Sequence, residues 1–309
     1  MQPLRIFIIH GVGDQRPGFS AGLQASLRAN FVKALGHMGH AGAPGADEAL
    51  DVREGLWAHL LEETESDLWR RMDAALPTDP IGNPIRHFVW KKIRRFLLSY
   101  AADAIAYSTQ GAKYSRYHAI HDELRRQLGG LTARPPAAGA ARPLSVVAHS
   151  LGGVIASDFF YDLRRDGTLA GTLGLRLDNI FTLGNPQAIY AIRTGLEGFR
   201  PRGVDDREHG MWVNAYDPDD DLGLPLKPLN GHCARTVHAD LPVEVGSLRG
   251  DVPHAAHMLY WEDPRIGKLI AEKLAIDWVR VNGLDTAEKS RERIAAYRAR
   301  YAMPGAKSE

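Results

Sequence analysis

Leu144-Ser145-Val146-Val147-Ala148-His149-Ser150-Leu151-Gly152-Gly153 is the stretch on which the reading of this chain turns. Its first half is a short apolar run of the kind found in a sheet covered on both faces. Beyond the serine, Ile155, Phe159 and Leu163 recur at helical spacing, so a helix opens directly after it. A serine caught between a buried strand and a helix, with Ala148 and Gly152 flanking it, has the setting of a nucleophile elbow. Such a turn is sharp, which is why the flanking places need small residues. It lifts the hydroxyl onto an exposed turn above the sheet edge. It also aims the Leu151 amide, at the positive end of a helix dipole, toward a developing oxyanion. The bland alternative is a small-residue turn with an incidental serine; the strand before it and the helix after it favour the nucleophile.

Working outward, residues 4–9 form a second continuous apolar run, followed by His10-Gly11-Val12-Gly13. A glycine-bearing loop at a strand end can bring a backbone N–H close to the same oxyanion, and Val12 is the candidate donor. A phosphate loop is the competing reading, but the P-loop lysine and the full dinucleotide fingerprint are both missing. Leu23, Leu27, Phe31 and Leu35 predict a helix, as do Tyr117, Ile120, Leu124 and Leu128. Further strands are predicted at 56–60, 179–183, 211–216 and 241–245, and a closing helix at 265–278. This alternation predicts an α/β protein with a mostly parallel central sheet, helices on both faces and a helical insertion. The expected layout is one domain over residues 1–302, an insertion or cap at about 62–112, and a flexible tail at 303–309.

A serine nucleophile needs a base and an acid downstream. Met211–Tyr216 runs into Asp217-Pro218-Asp219-Asp220-Asp221, and an acid at that strand end can hold a histidine by its ring N–H. Asp217 and Asp220 both remain candidates, against the alternatives of a solvated acidic loop or a cation site. His254 and His257 lie further on, where the base is expected. His232 and His238 read as loop or partly buried histidines, and His10 and His149 as groups that shape the pocket.

Together these motifs resemble the lipase and esterase branch of the α/β-hydrolase superfamily, and small bacterial lipases in particular. Thr182-Leu183-Gly184-Asn185-Pro186 is similar to the stretch in GPI-inositol-deacylase-like relatives, which have Ser where this chain has Asn185. The resemblance implies the α/β-hydrolase fold, oxyanion donors at Val12 and Leu151, and a Ser150, Asp220, His257 triad. Asp220 follows from the pattern Trp212, Asn214, Tyr216, Asp217, Asp220, although the next residue is Asp221 where the family has Pro. His257 follows from the Tyr260-Trp261 pair after it.

The implied activity is hydrolysis of carboxylic esters, including lipid esters, through an acyl-enzyme. The alternatives are a thioesterase, amidase or acyltransferase on the same triad, or a non-catalytic hydrolase-like binding module. No cofactor and no metal site is expected. With 38 basic against 37 acidic residues, nothing in the overall charge favours nucleic acid. Cys233 is the lone cysteine and no signal peptide is legible, so a cytoplasmic protein is expected. Residues 88–107 interleave Phe88, Trp90, Phe96 and Leu97 with Lys91, Lys92, Arg94 and Arg95, and predict a helix. Its alternatives are a helix packed on the core, or a lid over Ser150 that also touches anionic membrane.

Overall fold

The computed structural model describes residues 1–13, 15–61, 66–68, 70–71, 100–107, 116–132, 141–245 and 255–301. Most of the expected insertion at 62–112 lies outside these residues, as do residues 88–99 of the expected lid, His254 and the tail at 303–309.

Six strands build one all-parallel sheet: β1 (Leu4–Ile9), β2 (Leu50–Gly55), β3 (Arg142–His149), β4 (Leu175–Leu183), β5 (Met211–Tyr216) and β6 (Ala239–Pro242). Their order is β2-β1-β3-β4-β5-β6. The chain therefore steps one way from β1 to β2, then turns back past β1 and proceeds the other way from β3 onward. Right-handed crossovers place the helix of the first step on one face and those of the later steps on the opposite face. The two cores follow suit. Leu4, Ile6 and Ile8 of β1 pack with Leu23, Leu27 and Phe31 of the helix Ala21–His37, and with the helices Pro264–Val281 and Ala287–Tyr301. Phe7 and Ile9 point the other way, into the helices Arg116–Gly129 and Leu151–Arg165. Period-two alternation thus divides the central strands between two apolar layers, and explains why they read as unbroken apolar runs.

Three boundaries differ from the sequence reading. The strand expected at 56–60 ends instead at Gly55, and residues 59–61 are helical. β2 is an edge strand whose Asp51 and Arg53 face outward, which hides its apolar signature. β4 begins at Leu175, upstream of the run at 179–183, and its pairing with β3 shifts register at Leu144/Ser145. The last strand stops at Pro242, yet Val243 and Val245 still enter the core from the loop. Residues 100–107, the described end of the expected lid, are helical, with Asp103 and Tyr107 buried. Among the described residues no helix is long and apolar enough to cross a membrane.

Candidate active site

The strand order reverses between β1 and β3, and in parallel sheets the crevice beyond the carboxyl ends at such a point is where ligands bind. Register levels those ends: Ile9 lies opposite Ala148, and Ala148 opposite Thr182. The residues that follow, Gly11, Ser150 and Gly184, therefore gather at one edge.

Ser150 has φ 54° and ψ −134°, and among the described residues it is the one non-glycine with positive φ. Its N–H donates to the Leu183 carbonyl at 2.9 Å and its carbonyl accepts from Gly153 at 2.9 Å, which hold the turn in this conformation. Three glycines make room for it. A Cβ on Gly11 would lie 2.5 Å from Ser150 Cβ, one on Gly152 would strike the His10 carbonyl, and one on Gly153 would lie 2.6 Å from Asn185 Oδ1. The turn is buried, not exposed as its sequence suggested: Ser150 is 1% exposed.

Ser150, His257 and Asp220 come together. His257 Nε2 is 2.7 Å from Ser150 Oγ, and His257 Nδ1 is 2.9 Å from each oxygen of Asp220. Asp220 is the better placed of the two candidate acids, because Asp217 turns back on its own loop and accepts from Asp219 N–H at 2.8 Å. Burial pushes the Asp220 carboxyl up. The hydrogen bond and charge of His257, with donors from Leu222 N–H and Tyr260 O–H, outweigh that and hold it at about 2. Gly184 and Gly223 pack directly on this carboxylate, where a Cβ would lie 2.9 Å and 2.6 Å from Oδ2.

Leu151 directly follows Ser150, and Val12 follows the Gly11 that packs against it; both are buried. Leu151 opens its helix, where an amide has no helical carbonyl to meet. His10 sets the loop before Val12. Its Nε2 accepts from Trp57 N–H at 3.1 Å, so Nδ1 carries the proton and donates to the Gly11 carbonyl at 2.7 Å. That carbonyl and the Val12 N–H belong to one planar peptide and point in opposite directions, so pinning one aims the other. Burial lowers His10 to about 4, and its ring stacks on Trp57 with centroids 4.9 Å apart. Gly13 N–H is tied to Asp103 at 3.4 Å.

His149 braces His257. Its Nε2 donates to the His257 carbonyl at 2.7 Å, and its ring lies 5.0 Å from the His257 ring and 5.3 Å from Trp261. Burial lowers it to about 3, so it stays neutral. Both upstream histidines are thus supports for the backbone of the site. His232 and His238 bond to main chain elsewhere, at Pro201 and Trp212. Asn185 closes its own turn by accepting from Gln187 N–H at 3.1 Å.

Sequence reasoning missed the clamps. Trp57, Asp103 and Asp240 carry no local signal. Tyr260 did: it stands three residues after His257, one helical turn on, and so on the same side. Among the described residues no group of three or more His, Cys, Asp or Glu is arranged to hold a metal ion. Set against known protein families, curated proteins and solved structures, the chain finds no match, and its site is read from its own geometry.

Proposed function

We propose that this chain is a serine hydrolase of the α/β-hydrolase fold that cleaves carboxylic esters, lipid esters among them. The observation that carries this reading is the continuous line from Ser150 Oγ through His257 to Asp220, with steps of 2.7 Å and 2.9 Å, set on a strained strand-to-helix turn at the switch point of a parallel sheet. A solitary buried histidine needs no such alignment.

In this reading His257 Nε2 takes the Ser150 proton as Oγ attacks the carbonyl carbon. The Val12 and Leu151 N–H groups receive the charge that develops on the carbonyl oxygen. His257 returns the proton to the leaving alcohol, and the acyl group remains on Ser150. Water, deprotonated by His257, then releases the acid. Asp220 holds the imidazole by Nδ1 and offsets the positive charge it gains. For residues 88–107 both alternatives from the sequence stay within the proposal, a helix packed on the core and a lid that touches anionic membrane. Cys233, unpaired and buried, suits a reducing compartment and a cytoplasmic setting.

The test is labelling by a fluorophosphonate, which reacts quickly only with a base-activated serine. Wild type is expected to label once, at Ser150. Ser150→Ala should abolish labelling and hydrolysis of nitrophenyl esters while the protein stays folded. Undiminished hydrolysis by a folded Ser150→Ala protein sinks the reading.

A further inference from the structure

Tyr260 lies on the turn that follows the short helix Ala255–Leu259, three residues beyond His257, and is fully buried. Its hydroxyl meets two partners on the loop after β5. The oxygen accepts from Asp217 N–H at 2.7 Å, which leaves the hydroxyl hydrogen to point at Asp220 Oδ2, 2.9 Å away. The other Asp220 oxygen takes Leu222 N–H at 2.9 Å. Each carboxylate oxygen thus has one donor of its own, besides the His257 Nδ1 that lies equally close to both. The phenol ring is fixed from behind: a Cβ on Gly184 would sit 2.7 Å from its Cε2.

We infer that Tyr260 is a positioning residue for the proposed ester hydrolysis, setting the orientation and the basicity of Asp220 through a hydroxyl delivered by the same turn that delivers His257. This rests on the proposed triad and deepens it. One segment grips one carboxylate at two points, so His257 cannot approach Asp220 unless Tyr260 is seated as well. A hydrogen bond given to a carboxylate also draws down its basicity. Without that donor, Asp220 would hold a protonated imidazole more firmly, and a larger share of the enzyme would rest in the inactive protonated form at mildly acidic pH. The hydroxyl stays protonated throughout, since burial and then the charge of Asp220 push the Tyr260 phenol far up. Among the described residues, His149 at the end of β3 and Asp217 beside Asp220 are titratable neighbours of the pair. His149 is neutral because burial lowers it to about 3. Burial raises Asp217, whose carboxylate accepts from Asp219 N–H at 2.8 Å and does not touch the ring of His257.

The test is the rate of fluorophosphonate labelling against pH, which needs no knowledge of the natural ester. Tyr260→Phe should label roughly ten-fold more slowly near neutral pH, about the loss of one hydrogen bond to a charged group. Its acid limb should move to higher pH. A purely structural lesion would lower the rate without moving that limb. Should Tyr260→Phe fail to fold, 3-fluorotyrosine at position 260 keeps the ring and the hydroxyl, donates more strongly, and should move the limb to lower pH. A limb that stays put in either folded protein overturns the inference while leaving the triad standing. A wild-type chain that does not label at Ser150 overturns the triad, and the role of Tyr260 with it.

Discussion

Ser150 occupies a backbone conformation that costs an L-residue about 1–3 kcal/mol, and it persists because its neighbours leave it no alternative. Leu183 and Gly153 hold its main chain, and glycines at 11, 152 and 153 remove the side chains that would displace it. Asp220 is singled out among its neighbours by orientation in the same way. Asp219 and Asp221 are exposed, Asp217 faces its own turn, and Asp220 alone of the four reaches His257 Nδ1. Asp220→Asn is therefore expected to lower ester hydrolysis by about 10³–10⁴-fold, because an amide can stabilise the wrong tautomer and cannot offset the charge on the imidazole. Asp219→Asn and Asp221→Asn should change the rate little. Asp217→Asn should lower the urea midpoint more than the rate per folded molecule. If Asp217→Asn shows the large kinetic loss and Asp220→Asn does not, the acid has been assigned three residues too far along the loop.

The loop after β5 carries Asp220, and β6 explains why it stays in place although the strand is short. Asp240 of β6 accepts from Leu226 N–H at 2.9 Å, Lys227 N–H at 2.7 Å and Asn214 Nδ2 at 2.8 Å. The Asn214 oxygen in turn accepts from Thr182 at 2.8 Å, so three neighbouring strands tie one loop. Asp240→Ala would leave buried donors without an acceptor and should cost about 2–4 kcal/mol. Asp240→Asn, which keeps one acceptor oxygen, should cost less. An Asp240→Ala protein that unfolds at the wild-type urea midpoint would show that the tie does not matter. Elements of this kind set the limit of what the sequence discloses. Central strands were legible because burial on both faces demands apolar residues at every place, and the elbow was legible because its steric demands fall on adjacent positions. β2 was not, because outward Asp51 and Arg53 interrupt it. The helix Ala287–Tyr301 was not, because it buries only Ser290, Ile294 and Tyr297 along a polar length. At the site, Ser150 stood out by its strand and helix, chain order narrowed the base to His254 and His257, and the resemblance selected His257. Asp240 and Trp57 did not stand out, since they act on residues distant in sequence, and a single chain offers no marker for that.

At the scale of the whole molecule, two cores on opposite faces of one sheet leave the polar machinery at its carboxyl edge, walled by apolar side chains. The upstream histidines are enclosed by that arrangement, and their enclosure has a consequence for stability. Burial lowers His10 to about 4 and His149 to about 3, and it lowers His121, packed beside Tyr107 and Asp162, to about 4. A histidine held below its unfolded value of about 6.5 remains neutral in the fold. Once the pH drops beneath that value, unfolding takes up a proton that the folded protein does not, and stability falls. Each of the three buried rings should contribute a loss of about 1–2 kcal/mol between pH 7 and pH 5. Asp158 opposes them, as do Asp178 and Asp217, which burial also raises. Burial raises Asp158 to about 6, so the fold takes up its proton before the unfolded chain does, and stability gains about 1 kcal/mol over the same range. Asp220, held at about 2, contributes stability that is complete above the unfolded carboxylate value of about 3.9 and is lost only below it, outside this window. His238, which burial also lowers to about 4, adds to the three rings, so the net expectation is a loss of stability on going from pH 7 to pH 5. Urea unfolding at the two pH values, in buffers of equal ionic strength, measures it directly. A lower midpoint at pH 5 is expected, and a midpoint that holds or rises would mean that these rings are not neutral and enclosed in the folded protein.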